Sequence, residues 1–267
     1  MRNLCCFLLA LCLCLASMTV CSAETLSGGF GYTLTPDGEA EITSYSGAQS
    51  AVAVPNQLDG HKVVSIGKEA FKGLPVSIVY LPLGVTQIGE GAFRDCEALM
   101  SVVMPASLTS VGKSAFRDCV PLKTLIFPAN VTEIGSGACF GCKSLNNVTL
   151  PRSLTELPGN MFNGCELLST VILPENLEVV GSTAFMNCTG LKNVTLPETL
   201  TEIRASAFSG CEELETLELP VSLASIGYGA FDSPKLVLSV EKGSYAEEFC
   251  KLSKYDYVYT EHTESDK

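Results

Sequence analysis

The chain has 267 residues, 46% of them hydrophobic and 17% charged, with a formal net charge of −12 and a pI near 4.6. So much apolar content with so little charge excludes disorder for the body of the chain. The acidic balance argues against nucleic-acid binding and against docking on anionic lipid, since both need clustered Lys and Arg.

Residues 1–23 read as a signal peptide: Arg2 supplies a basic start, Leu4 to Val20 an apolar run, and Cys21-Ser22-Ala23 a small-residue cleavage site. The apolar run is short for a membrane span and no stop-transfer flank follows it, so no span is expected. Acylation of Cys21 is the competing reading, but Val20 fits poorly the small residue such processing needs. Cleavage near Ala23 removes one positive charge and leaves −13.

Residues 24–54 carry strand and turn signals. Gly31–Thr35 and Ala40–Tyr45 alternate around a Pro36-Asp37-Gly38 turn, which predicts a β-hairpin cap. Pro55 to Leu81 reads as a first, longer coil, with IGKEAF at Ile66–Phe71, an extra turn at Asp59–Lys62, and Leu74 where later units have cysteine.

From Pro82 onward the chain repeats every 23 residues. Prolines fall at 82, 105, 128, 151, 174, 197 and 220, cysteines at 96, 119, 142, 165, 188 and 211, and leucines at 99, 122, 145, 168, 191 and 214. A fixed period of this length marks a solenoid or array, and one short L-x-x-[LV]-x-[MFL] run per unit fits a leucine-rich solenoid. Within a unit, Leu122, Leu125 and Phe127 define a short strand that Pro128 ends. Val131 and Ile134 form a second inward pair, usually followed by a glycine where the chain turns. Ala-Phe then enters a short helical turn, and stacked copies of that Phe predict an aromatic spine.

Cys139 occupies the Phe slot in one unit, with Phe140 beside it. Phe140 is therefore expected to reach into the spine and Cys139 to shift toward the surface. Pro158 and Arg204 replace the turn glycine, and Pro234 stands where the next cysteine would fall. Residues 234–260 read as a C-terminal cap: a helix within Gly243–Ser253, N-capped by Ser244 with Glu247 and Glu248 in its first turns, then a closing strand over Tyr255–Thr260. Residues 261–267 form a polar tail.

The pattern L-P-x-x-L-T-x-I-G-x-x-A-F-x-x-C-x-x-L-x-x-[VL]-x resembles the repeat of the BspA-like leucine-rich repeat family, found in secreted and surface proteins of host-associated microbes. The resemblance covers about residues 55–233, and the hairpin and the GSYAEEF segment at Gly243–Phe249 look like that family's usual ends. It implies a right-handed curved solenoid, about eight coils here, used for adhesion or protein binding. It names no ligand.

Each cysteine is alone in its unit, whereas zinc sites want several ligands within a few residues, so no metal or other cofactor is expected. Parallel coils hold equivalent Cβ atoms about 4.8 Å apart with parallel vectors, unsuited to the converging geometry of a disulfide. The ladder is therefore read as buried thiols acting as small hydrophobes. His61 and His262 share no site with a repeating nucleophile, which argues against an enzyme. Leu196–Leu200 (LPETL) is a near miss to a sortase signal, placed mid-array without an apolar tail. Sequons begin at Asn130, Asn147, Asn187 and Asn193, and would matter only in a eukaryotic secretory pathway.

The strand face remains. One outward column runs Ser101, Thr124, Asn147, Thr170, Asn193, Thr216, and its neighbour runs Val103, Ile126, Thr149, Ile172, Thr195, Glu218. Such residues suit strands for conformational reasons alone. Read functionally, they form the concave face of a solenoid that binds a protein, for instance a host surface or matrix protein, or a glycan. The competing reading is a structural spacer or envelope module with no specific ligand.

Overall fold

A computed structural model of the chain describes residues 24–260, so the expected signal peptide and polar tail lie outside the described residues. The body is a parallel-strand solenoid with two sheets. The front sheet carries the L-x-x-[LV]-x-[MFL] runs as short strands, from Ala51–Ala53 and Ile78–Tyr80 through Ser101–Val103 to Thr216–Glu218, Val237–Val240 and Tyr257–Tyr259. The back sheet carries the second inward pairs as two-residue strands, from Gln87–Ile88 to Ser225–Ile226. Register steps by one unit at each rung, as in Thr124 beside Asn147 and Ser110 beside Glu133. The front face has ten rungs where about eight coils were expected. Ala51–Ala53 and Tyr257–Tyr259 each extend the stack by one, because both pair in parallel with the neighbouring rung.

At the N-terminal end, Thr25–Ser27, Phe30–Leu34 and Ala40–Tyr45 pair antiparallel. Ala40–Tyr45 then pairs in parallel with His61–Ile66, passing the meander's edge into the back sheet. His61 is a structural residue: its Nδ1 lies 2.7 Å from the Gly38 carbonyl oxygen in the hairpin turn.

The corner joining back strand to front strand is not the expected helical turn. In the Pro105–Phe127 unit the N–H groups of Ala115, Arg117 and Cys119 bond the carbonyls of Gly112, Ser114 and Phe116, three residues back. Ser114 and Asp118 have φ of 55° and 58°, and the same two slots are left-handed in neighbouring units, at Asn160, Asn187 and Gly141 among others. A left-handed residue every few positions breaks any helix, so the corner is a chain of tight turns. The glycine after the back strand also serves another purpose than turning. Gly135 lies outside the left-handed region, but a Cβ there would sit 2.2 Å from the Lys113 nitrogen of the preceding coil. Glycine is needed because coils stack too closely for a side chain.

Inside, Phe71, Phe93 and Phe116 stack with centroids 5.2 and 5.5 Å apart, and Phe162, Phe185, Phe208 and Phe231 stack at 5.1–6.1 Å. Tyr45 extends the first stack, and Phe249 and Tyr255 close the second edge-on. The spine breaks between the two runs, and the expectation for Phe140 is overturned. Cys139 is fully buried in the aromatic slot, while Phe140 is half-exposed beneath Arg117, whose guanidinium carbon lies 4.5 Å from the ring centroid. Cation–π contact holds that ring outside without strain on the corner. One coil on, fully buried Met161 stands in the slot that is Ala92, Ala115 and Ala138 in earlier units and adds side-chain volume to the core beside the missing ring. Cys139 and Met161 are joined directly by a backbone hydrogen bond of 3.1 Å. Flexible methionine is well suited to fill an irregular gap.

The ladder cysteines are unpaired and buried. Each thiol donates to a carbonyl of the previous coil: Cys119 to Phe93, Cys142 to Phe116 and Cys188 to Phe162, all at 3.0 Å. Burial pushes the thiols of Cys142, Cys165 and Cys188 well above the ordinary range, and that of Cys211 up to about 12. Cys250, in the terminal helix, is buried as well.

Ladder breaks divide both sheets. The front sheet is interrupted after Ser101–Val103, Asn147–Thr149 and Asn193–Thr195. The back sheet is interrupted once along this stack, between Glu133–Ile134 and Glu156–Leu157. Elsewhere the residue after the back strand donates to the coil before, as Gly135 does to Val111 at 2.8 Å and Arg204 to Val180 at 2.9 Å. Pro158 holds that position at the break and has no N–H to give.

The chain closes on a helix, Tyr245–Ser253. Ser244 caps it by accepting from the Glu247 N–H at 3.2 Å, and Glu247 accepts in return from the Gly243 N–H at 2.6 Å, much like a capping box. Glu247 also accepts from the Tyr259 hydroxyl at 2.7 Å and pairs with Lys251, tying helix to final strand. The Lys251 bond, with those from Gly243 and Tyr259, holds the Glu247 carboxyl at about 2.

Two predictions follow from this packing. Cys139→Phe alone overfills the core and costs about 1–3 kcal/mol, and Met161→Ala alone leaves a cavity costing about 2–5 kcal/mol. The double variant is expected to cost much less than the two together in chemical denaturation, and additive losses would show that Met161 does not occupy the missing ring's space. For the cap, Glu247 is depressed in the folded state, so its contribution is complete above its ordinary value of 4.5 and fades as pH falls toward 2. Glu247→Gln therefore lowers Tm at pH 7, and the difference from the native chain should vanish near pH 2. A difference independent of pH would place the effect in packing.

Candidate binding face

On the three-residue front strands from Ile78–Tyr80 to Thr216–Glu218 the central residue turns toward the core, fully or partly buried, and its neighbours face out. Leu125 is buried between Thr124 and Ile126, and Val171 between Thr170 and Ile172. The structure brings all twelve sequence-selected residues onto this one face. Thr124 and Asn147 are adjacent in one column and Ile126 and Thr149 in the next. Thr170 with Asn193, and Ile172 with Thr195, repeat the arrangement one pair further on. Ser101 and Val103 begin the run and Thr216 and Glu218 end it.

The columns also extend beyond those residues. Ile78 lies beside Ser101 and Tyr80 beside Val103 at one end. Val237 lies beside Thr216 and Ser239 beside Glu218 at the other. Tyr80 sits in the run SIVYLP, in the same register relative to Pro82 as Val103 has to Pro105, so the alternation alone would have included it.

The face is not uniform along its length. Tyr80 and Val103 pair side by side, with Ile126 in the same column across the first ladder break, and the three are 47%, 48% and 58% exposed, flanked by exposed Leu83 and Met100. The slot after each proline holds Leu83, Ala106 and Ala129, then Arg152, Glu175 and Glu198, and last Val221. The N-terminal half is therefore mainly apolar, with Lys123 its charged residue, whereas the C-terminal half mixes exposed Ile172 and Val221 with mostly acidic charge that includes Glu215 and Glu218. Clefts lie at two of the ladder breaks. One of about 450 Å³ opens between Ser101–Val103 and Thr124–Ile126, with Met104, Ala106 and Ala129 along it. Another of about 300 Å³ opens between Asn147–Thr149 and Thr170–Ile172, rimmed by Arg152 and Glu175.

A second concavity, missed by sequence reasoning, runs over the back sheet. It holds about 520 Å³ and is lined by Glu41, Ser65, Gln87, Ser110 and Glu133 above a glycine floor. Its signal was the polar residue before each inward Ile or Val. The glycines that deepen it are required by coil stacking, so the groove follows from packing alone.

Two kinds of likeness accompany this geometry. The sequence profile of the BspA type leucine rich repeat region, in six copies, matches residues 64–189 and 157–252. The chain belongs to this BspA-type leucine-rich repeat family. A leucine-rich repeat protein from Bacteroides ovatus is 26% identical over 88% of the chain and 67% of its own length, with a TM-score of 0.63. The leucine rich repeat protein of T. pallidum is 29% identical over 88% of the chain and 98% of its own length, with a TM-score of 0.58. No curated protein matches. Among the described residues of this BspA-type chain, no helix is long and apolar enough to cross a membrane, and no group of three His, Cys, Asp or Glu side chains could hold a metal ion. The repeat family makes a protein-interaction role the coarse functional assignment.

Proposed function

We propose that the chain is an exported, cell-surface or secreted, adhesion module that binds a protein partner through the N-terminal half of its front strand face. The observation that carries this reading is the exposed column Tyr80–Val103–Ile126, with Leu83 and Met100 beside it. Large apolar side chains in contiguous array are uncommon on a surface with no partner, and aromatic and methionine side chains are enriched where proteins meet. Strand packing needs β-branched residues at these positions but does not need Tyr80, Leu83 or Met100. The apolar cleft beside the column suits protein side chains better than the hydroxyl-rich surface of a glycan. Export is supported by the composition of residues 1–23 and by the kind of proteins in which this repeat occurs.

The test uses the full chain against immobilised extracellular-matrix proteins and, separately, a glycan array. Val103→Glu with Ile126→Glu should weaken protein binding by about ten-fold or more. It should leave the circular dichroism and Tm unchanged, because both side chains already contact water. Thr195→Glu with Thr216→Glu, in the acidic half, should have little effect. Binding that survives the first pair moves the site off this half. A native chain that binds no protein, with or without glycan binding, sinks the reading, and binding to neither leaves a structural spacer.

A further inference from the structure

The unit Pro128–Leu150 and the unit Pro151–Leu173 meet differently from every other pair of units between Pro82 and Leu219. Both sheets are interrupted there, the front between Asn147–Thr149 and Thr170–Ile172 and the back between Glu133–Ile134 and Glu156–Leu157. At the two other front-sheet breaks the back sheet of the same units runs on unbroken, through Gln87 beside Ser110 and Val179 beside Glu202. The aromatic stack is missing at this junction and at the one before it, because Cys139 stands between Phe116 and Phe162 and pairs with neither, but only here do both sheets break as well. The thiol bond across it, Cys165 to the Cys139 carbonyl, is 3.3 Å, the longest of the ladder. The 300 Å³ cleft opens at the same place.

The apolar core still runs across the junction, but most of the polar bonds that cross it lie on the corner edge. The N–H groups of Gly137, Cys139 and Gly141 donate to Gly159, Met161 and Asn163, that of Leu167 donates to Lys143, and Lys143 pairs with Glu166 at 2.9 Å. Away from that edge one bond remains, from the Ser153 hydroxyl to the Val131 carbonyl at 2.7 Å.

We propose that this junction is a hinge, with the corner from Gly137 to Lys143 as its axis and the Ser153–Val131 bond as its latch. The chain is then two cooperative bodies, meeting between residues 150 and 151, which part by opening the sheet edges while the corner stays bonded. Stacked repeats are stabilised by nearest-neighbour interfaces, so the weakest interface sets where the array divides. Pro158 makes this interface weak by removing a donor from the back sheet, and the Phe-to-Cys exchange removes ring stacking from the core. Because Thr149 and Ile172 stand on opposite sides of the junction, opening changes the spacing between the two halves of the front face. This inference does not depend on any partner being bound there.

Thiols inside the coils report on it. In the intact chain under mild urea, pulsed iodoacetamide labelling read by peptide mass should modify Cys139, Cys142 and Cys165 at least about ten-fold faster than Cys119 and Cys188. Pro158→Gly restores a donor and should bring that ratio down several-fold, whereas Ser153→Ala removes the latch and should raise it. Taking the ratio within one molecule cancels any change in global stability, and Ser153→Ala keeps the test decisive if the glycine variant does not fold. A common labelling rate for all five thiols in the native chain overturns the hinge. A faster central group whose ratio moves in neither variant overturns the assignment of axis and latch.

Discussion

In a parallel, in-register stack each residue lies above its own copy, and nearly every feature of this chain follows from having to be compatible with itself one coil away. A Phe above a Phe gains a stacked ring. A thiol beneath a carbonyl gains a weak donor bond without needing a partner thiol. A glycine above a glycine lets the backbones approach to a distance no Cβ would tolerate. Charge obeys the same rule in reverse, since like charges in one column repel. Lys143 stands over Glu166 and Lys235 over Glu213, each pair 2.9 Å apart, so the sign changes at those steps, although Glu175 is followed by Glu198 and Arg94 by Arg117. These exposed pairs add little stability individually, but they remove a repulsion that repetition would otherwise build in.

Self-compatibility also explains what the sequence makes visible. The period, the two sheets, the aromatic stack and the unpaired thiols are each stated several times over, so a single noisy unit does not hide them. Features that occur once are harder to read. Phe140 reads as the replacement for a missing ring, but nothing in the sequence shows that Arg117, from the preceding coil, covers it from outside, or that Met161 adds buried volume in the following one. Both answers lie in contacts 22 or 23 residues away. The corner turns were misread for another reason: Ala-Phe in an apolar register suits a helix, and the left-handed residues that forbid one are Ser114 and Asp118, types that tolerate that conformation without advertising it. The extra rungs at the two ends escaped because Ala51–Ala53 and Tyr257–Tyr259 lack the repeat's leucines while keeping its backbone register.

The face itself was legible as a set of columns but not as a graded surface. Listing outward residues from Ser101 gave a neutral, hydrogen-bonding sheet. Adding Ile78, Tyr80 and the slots flanking each strand shows an apolar half and an acidic half instead. With a net charge of −12, the acidic half is unremarkable for this chain, and the exception is the half with no acidic residue, where Lys123 stands beside the apolar column. Surface free of acidic charge in an acidic protein also escapes the repulsion that keeps such molecules apart in solution.

The unpaired thiols have a further consequence for how the chain matures. Exported proteins commonly depend on oxidation to lock their folds, whereas every described cysteine here ends as a buried, reduced side chain. The native state thus needs no oxidant, and on the proposed export the unfolded chain would meet an oxidising compartment with its thiols free, where each wrong bridge would be a trap. Protection has to come from speed. Contacts that reach only one coil along the sequence close small loops, and chains built from them collapse quickly and can start anywhere. The same short step that builds the array would hide its sulfur before chemistry reaches it.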